Sequence, residues 1–186
     1  MNANGPELPA KLTIGSVDVP TAKYTVVAHY NPKDIDLSHQ SSWTEEGSVK
    51  GMTDNKRDHI NDIQYTGAPA RSMSLELFLD YYEAPYEVDR QPIDVVVGIL
   101  SELASPRDEH SADPQMRRPH ICIVAWGQRG VPAFRCVIES LAVKYTMFSR
   151  DGVPVRAVCS LKLKEARLSK ELRSRELPGL IRYLVD

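Results

Sequence analysis

The sequence predicts a mainly-β protein: a β-sandwich or barrel of antiparallel strands with one flanking helix and a helical C-terminal tail. Three stretches carry that prediction. From Ala133 to Arg167, apolar residues alternate on both sides of an Asp151-Gly152 turn, the pattern of one long hairpin. From Arg71 to Asp80, Met73, Leu75, Leu77 and Leu79 alternate with Ser72, Ser74, Glu76, Phe78 and Asp80, so one face of that strand is dry. His120 to Gly127, HICIVAWG, is an apolar run too short and too β-branched for a helix, and reads as a buried strand.

The hairpin's own pattern selects its loop. Leu141, Val143, Tyr145 and Met147 share one face before the turn, and Val155, Ala157, Cys159, Leu161 and Leu163 share one after it. A two-residue turn would bury opposite faces of the two strands. A three-residue loop, Arg150-Asp151-Gly152 with the glycine at positive φ, pairs Met147 with Val155, Tyr145 with Ala157, Val143 with Cys159 and Leu141 with Leu161. Upstream the apolar parity switches to Phe134, Cys136 and Ile138, which calls for a β-bulge or a sharp bend near Glu139-Ser140. With Tyr145 on the dry face, Tyr145→Asp is expected to break the fold.

The remaining elements follow in chain order. Residues 1–10, with Gly5, Pro6 and Pro9, read as a flexible arm. Lys11 to Ile14 is a short strand, Gly15-Ser16 a turn, and Lys23 to Tyr30 a strand stopped by Asn31-Pro32. Ile35 and Leu37 mark another strand. Glu45 to Asn61 is a loop longer than most connections in a compact domain, with a contact role expected. The acidic, tyrosine-rich segment Tyr81 to Gln91 leads to Pro92, after which Ile93, Val96, Val97, Leu100 and Leu103 follow helical spacing, with the proline suited to the first turn. Ser105 to Pro119, with Pro106, Pro114 and Pro119, is a surface connection, and Gln128-Arg129-Gly130 is a turn. Beyond Arg167, Leu168, Leu172, Leu177, Leu180, Ile181 and Leu184 recur at helical spacing around Pro178-Gly179, an amphipathic tail that needs a partner surface.

At 186 residues and 42% hydrophobic composition, the chain is expected to form one core: an arm over 1–10, a body over 11–167 and a tail over 168–186. A net charge of -2 with interspersed signs gives no nucleic-acid groove and no attraction to anionic lipid. Cys122, Cys136 and Cys159 are odd in number, lack CxxC spacing and lie in apolar runs, so they read as reduced core residues. MNANGPELPAKL has neither a basic start nor an apolar h-region, and no run reaches the length of a membrane span; folding in the cytosol is expected.

Catalytic signatures are missing from the text: there is no glycine-rich phosphate loop, HExxH, GxSxG or paired cysteine motif. His29, His39, His59, His110 and His120 lack ligand spacing, and Asp80, Glu83, Glu87 and Asp89 lack the spacing and glycine of a calcium loop, so neither a metal nor a cofactor is expected. Trp126 reads as an anchor whose N–H finds a carbonyl, and Tyr81, Tyr82 and Tyr86 as a candidate interface cluster. Lys144, Arg156, Lys162 and Lys164 read as charges keeping the hairpin's exposed face soluble. An enzymatic reading would need an unrecognised site such as His120 with Asp80 or Glu83.

Taken together, Tyr30-Asn31-Pro32, Leu75-Glu76-Leu77, the following helix, Trp126-Gly127, Tyr145-Thr146-Met147-Phe148, Asp151-Gly152 and Pro154-Val155-Arg156-Ala157 resemble the tube-domain family of contractile injection systems. The likeness is to the baseplate tube-initiator or adaptor members that often carry a LysM module, and it covers Lys11 to Arg167. It implies a phage-tail-tube-like fold, six copies of which close into a ring joining the inner tube above to the spike or hub below, assembled in the bacterial cytoplasm as part of a phage-tail-like particle. It marks Trp126, Gly127, Tyr145, Met147, Asp151, Gly152, Pro154, Val155 and Arg156 as structural and assembly candidates. No LysM module is expected within this sequence. The rival reading is a monomeric β-barrel that binds a ligand or protein through Trp126 and the Tyr81 to Tyr86 cluster.

Overall fold

The computed structural model describes residues 10–45, 63–82, 90–127 and 133–166. Nine strands and one α-helix appear among them: β1 (Leu12–Ser16), β2 (Thr25–Val27), β3 (Ile35–Ser38), β4 (Ser42–Glu45), β5 (Ile63–Gly67), β6 (Ser72–Asp80), α1 (Ile93–Ala104), β7 (Cys122–Trp126), β8 (Phe134–Phe148) and β9 (Pro154–Glu165). The mainly-β expectation holds. Seven strands form one sheet in the order β2-β1-β7-β8-β9-β6-β3, and β4 and β5 form a separate two-stranded ribbon; every pairing is antiparallel.

Among the described residues the large sheet does not close on itself, so a closed barrel is not what these strands build. The end strands explain this: β2 and β3 are three and four residues long, and each pairs on one side only. The Lys23 to Tyr30 strand is shorter than expected because Ala22–Tyr24 is a 3₁₀ turn. Gly15-Ser16, expected to turn, instead continues β1, where Ser16 pairs with Cys122.

Alternation creates the core. Met73, Leu75, Leu77 and Leu79 of β6 and Ala157, Cys159, Leu161 and Leu163 of β9 are all buried on one face, joined by Leu12, Ile14, Val26, Cys122, Val124, Phe134, Cys136 and Ile138. Helix α1 lies against that face with Ile93, Val96, Leu100 and Leu103 fully covered, as its spacing predicts, and Pro92 is its N-cap. Burial holds the three thiols in their protonated form, pushing Cys122 up to about 12 and Cys159 to about 11.

The long hairpin has the predicted loop. Ser149 N–H donates to Val153 O at 2.8 Å, Gly152 N–H donates to Ser149 O at 3.1 Å, and Gly152 has φ +79°. Tyr145↔Ala157, Val143↔Cys159 and Leu141↔Leu161 are in register as expected, and the register slips between Ile138 and Ser140, where the parity change placed a bulge. Met147 departs from expectation. It lies opposite Arg156 rather than Val155, because a second irregularity between Tyr145 and Phe148 displaces it before the register recovers at Phe148↔Pro154.

Candidate assembly edges

Hydrogen-bond parity shows which backbone groups the sheet leaves open. On β9, Val155 O accepts from Tyr81 N–H and Glu165 N–H donates to Arg71 O, so its odd-numbered residues face β6. Its even-numbered residues therefore face β8. Their partners, Ser140, Ala142 and Lys144, direct their N–H and C=O groups to β9, which turns those of Leu141, Val143 and Tyr145 the other way. On that side β7 reaches only Phe134 to Cys136. The distal half of β8 is thus an open edge among the described residues.

The same half lacks cover. Ile138 is 5% exposed, but Leu141, Val143 and Met147 are only half-buried, and Tyr145 and Phe148 are 42% and 55% exposed. Tyr145 and Phe148 lean on one another with ring centroids 6.2 Å apart, and Val153 is exposed across the tip. The expected burial of Tyr145 is therefore corrected: alternation sets which face a side chain takes, and the core that covers this face ends near Ile138.

Among the described residues a second open edge lies on β6. Arg71 O and Tyr81 N–H both bond to β9, so odd residues face inward there and Ser72, Ser74, Glu76, Phe78 and Asp80 face outward. β3 pairs with β6 only from Ser72 to Leu75, leaving Glu76 and Phe78. His29 closes the edge at Asp80, its Nδ1 lying 3.2 Å from both the N and the O of that residue. A groove beside the edge is lined by Lys33, Asp34, Asp36, Glu76, Phe78 and Lys162.

Arg156 is not the solvated charge it was expected to be. Its Nη2 donates to Asp80 Oδ2 at 2.7 Å and its Nε to the same oxygen at 3.2 Å, with the Asp80 side chain 3% exposed. The guanidinium also lies 5.7 Å from the Phe78 ring, which packs on Tyr30. Arg156 therefore ties the hairpin to the end of β6. Pro154 starts β9 opposite Phe148, half-buried Val155 receives Tyr81 N–H, and Asp151 and Gly152 occupy the tip.

Trp126 and Gly127 sit at the opposite end of the sheet and fix the chain at Ala10. Trp126 Nε1 donates to Ala10 O at 3.0 Å, the anchor role expected of it. Asn31 Nδ2 donates to the same oxygen at 2.9 Å while Asn31 Oδ1 accepts from Leu12 N–H. Gly127 has φ +60°, and a Cβ there would come within 3.2 Å of Ala10 Cβ. Tyr81 packs on the core, Tyr82 is exposed, and Tyr86 lies outside the described residues, as do 46–62, 128–132 and 167–186.

His29 and His120 are buried. His120 Nδ1 lies 2.8 Å from Ser16 Oγ and its ring stacks on Tyr24. It pairs with neither acid considered for it: Asp80 engages His29 and Arg156, and Glu83 lies outside the described residues. Burial lowers both histidines, helped by Arg90 at His29 and Arg107 at His120, so each is neutral at pH 7. Alternation gave no sign of Asp18, which is clamped by Arg118 at 2.8 Å and Arg107 at 3.7 Å. Burial opposes its charge, but the bonds from Arg118 and the Ile121 N–H prevail and hold its carboxyl below the usual range. These partners lie about a hundred residues away in sequence, beyond the reach of any local signal.

Among the described residues no cluster of three or more His, Cys, Asp or Glu could hold a metal, and no helix is long and apolar enough to cross a membrane. The fold is thus a mainly antiparallel sheet carrying a helix on one face, with two stretches of open edge. This chain belongs to the family described as contractile injection system tube protein, whose model matches residues 9–174. It is accordingly a structural protein of a phage-tail-like particle. No curated protein matches it.

Proposed function

We propose that the chain is a ring subunit, present as a homo-hexamer, that joins the inner tube to the hub or spike of the baseplate in the manner of a tube-initiator adaptor. The observation that carries this reading is the open edge at Leu141, Val143 and Tyr145, where outward backbone groups coincide with an uncovered apolar stripe. Such an edge is a template for another strand. The chain carries an unlike edge at Glu76 and Phe78. Pairing the β8 edge of one copy with the β6 edge of the next is a heterologous contact, and repeated contacts of that kind form a ring where the rotation between copies closes. The sheet's apolar face is then continuous across the join, with Leu141, Val143 and Tyr145 beside Leu77 and Leu79 of the neighbour.

Residues 11–167 form the ring body in this reading, with the arm over 1–10 and the tail over 168–186 contributing further contacts. Assembly takes place in the cytoplasm. The test is electron microscopy of particles co-expressed with the other components, with and without this chain. A six-fold layer between tube and spike that disappears on omission supports the reading; identical particles without the chain contradict it.

A further inference from the structure

The two open edges differ in a way that fixes how they meet. On β8 the outward N–H and C=O groups belong to Leu141, Val143 and Tyr145, whose side chains share the core face with Leu161, Cys159 and Ala157 opposite them. On β6 they belong to Glu76 and Phe78, whose exposed side chains take the other, solvent face. Residues that bond one another in an antiparallel pair carry their side chains on the same face. In a parallel pair each bonded residue sits between two partners whose side chains take the opposite face. An antiparallel join of these edges therefore turns the neighbour's sheet over, and only a parallel join keeps the apolar face continuous.

We propose that β8 of one copy runs parallel to β6 of the next, with Val143 opposite Leu77. This join rests on the ring reading and gives it a direction and a register. Ring symmetry asks for the same direction: β8 and β6 are each antiparallel to β9, so they run parallel within one chain, and rotation about an axis along the strands preserves that. The register follows from matching lengths. Between its slips at Ile138/Ser140 and after Tyr145, β8 turns only Leu141, Val143 and Tyr145 outward. Among the described residues β6 is open only between Leu75, where β3 stops, and Asp80, which His29 closes. Setting Val143 between Glu76 and Phe78 satisfies every outward group there. Glu76 N–H donates to Leu141 O, Val143 N–H to Glu76 O, Phe78 N–H to Val143 O and Tyr145 N–H to Phe78 O. A shift of two residues either way brings Glu139 or Met147, at the irregularities, into the ladder. Val143 and Leu77 are also level within one chain, both opposite Cys159, so the join adds no stagger from copy to copy, as a closed ring needs. On the solvent face Lys144 comes beside Phe78 and diagonal to Glu76, a neighbour of opposite charge.

The experiment is disulfide trapping in particles co-expressed with the other components. Ala142→Cys with Glu76→Cys sets two thiols opposite one another on the solvent face of the join. Within one chain those residues flank Ser160 on β9 and lie two strands apart, too far for a disulfide, so a bridge between them links two copies. Lys144→Cys with Phe78→Cys repeats the test one position along. The comparison pairs are Val143→Cys with Glu76→Cys or Phe78→Cys, which meet in an antiparallel join, and Lys144→Cys with Glu76→Cys, which meet if the register slips by two. Circular dichroism confirms that each variant is folded, and gels without reductant read the linked chains. The two matched pairs are expected to link at least about tenfold more chains than any comparison pair. Linking through Val143→Cys overturns the parallel direction, and linking through Lys144→Cys with Glu76→Cys overturns the register; edge pairing itself survives both. Rings that no pair links overturn the join and leave the six-fold layer standing. The ring reading fails separately, when particles are identical with and without the chain.

Discussion

The two halves of the β8–β9 hairpin have the same alternating pattern and opposite fates. In the near half, Ile138 faces Leu163 with both buried beneath the core; in the far half, Tyr145 faces Ala157, yet the tyrosine is 42% exposed. The backbone differs too. Near its start β8 is paired on both sides, whereas from Leu141 outward it is paired, among the described residues, only with β9. A strand so patterned but left uncovered among the described residues presents an open edge, which the proposed ring completes with another copy.

Substitutions divide along the same line. The largest effect is expected where the stripe is covered: Leu161→Ala, at a residue 1% exposed, should lower stability by about 3 kcal/mol in urea unfolding, while Val143→Ala should cost less than about 1 kcal/mol. Equal losses would remove the distinction between the halves. Next comes the tie between hairpin and β6. Asp80→Ala takes the carboxylate from Arg156 and should destabilise by about 2–3 kcal/mol, because a half-buried guanidinium loses the oxygen that accepts from both its Nε and its Nη2. A loss below about 0.5 kcal/mol would show that the tie is dispensable.

A smaller effect is expected from acid. His29 and His120 have folded pKa values below 6.5, so the unfolded chain binds more protons beneath that value. Their contribution is complete above 6.5 and is lost as pH falls through it, with a further loss in stronger acid as Asp18 protonates. Unfolding midpoints taken between pH 8 and pH 5 should fall on the acid side. A flat profile, or an acid-side slope left unchanged in both His29→Gln and His120→Gln, would contradict the burial of neutral rings. The smallest effect on folding, below about 1 kcal/mol, is expected from Tyr145→Asp, since the residue is exposed. Assembly, by contrast, should be lost. An unfolded Tyr145→Asp chain would restore the reading in which this residue belongs to the core.

Much of this was legible in the chain. Period-two alternation located the hairpin, its three-residue loop, the Glu139 bulge and the dry face of β6, because each is dictated by which side of a strand a residue takes. The spacing after Pro92 placed the helix. Other features were beyond its reach. The same pattern appears in Ile138 and Tyr145, so it cannot say where the core's cover stops. Ion pairs such as Asp80–Arg156 and Asp18–Arg118 join residues distant in sequence, and an expected surface charge turned out to be an anchor. The open edges themselves depend on how far β7 and β3 extend, which follows from topology rather than from any residue of β8 or β6.

The most direct test uses proline to remove single N–H groups on either side of β8. Val143 turns its N–H outward, so Val143→Pro should leave the pairing with β9 in place while blocking another strand from adding at this edge. Ala142→Pro removes an N–H directed at β9 and should unfold the hairpin. Electron microscopy and circular dichroism of the two variants should show a folded Val143→Pro chain that enters no ring and an Ala142→Pro chain that does not fold. Rings formed normally by Val143→Pro would contradict the account.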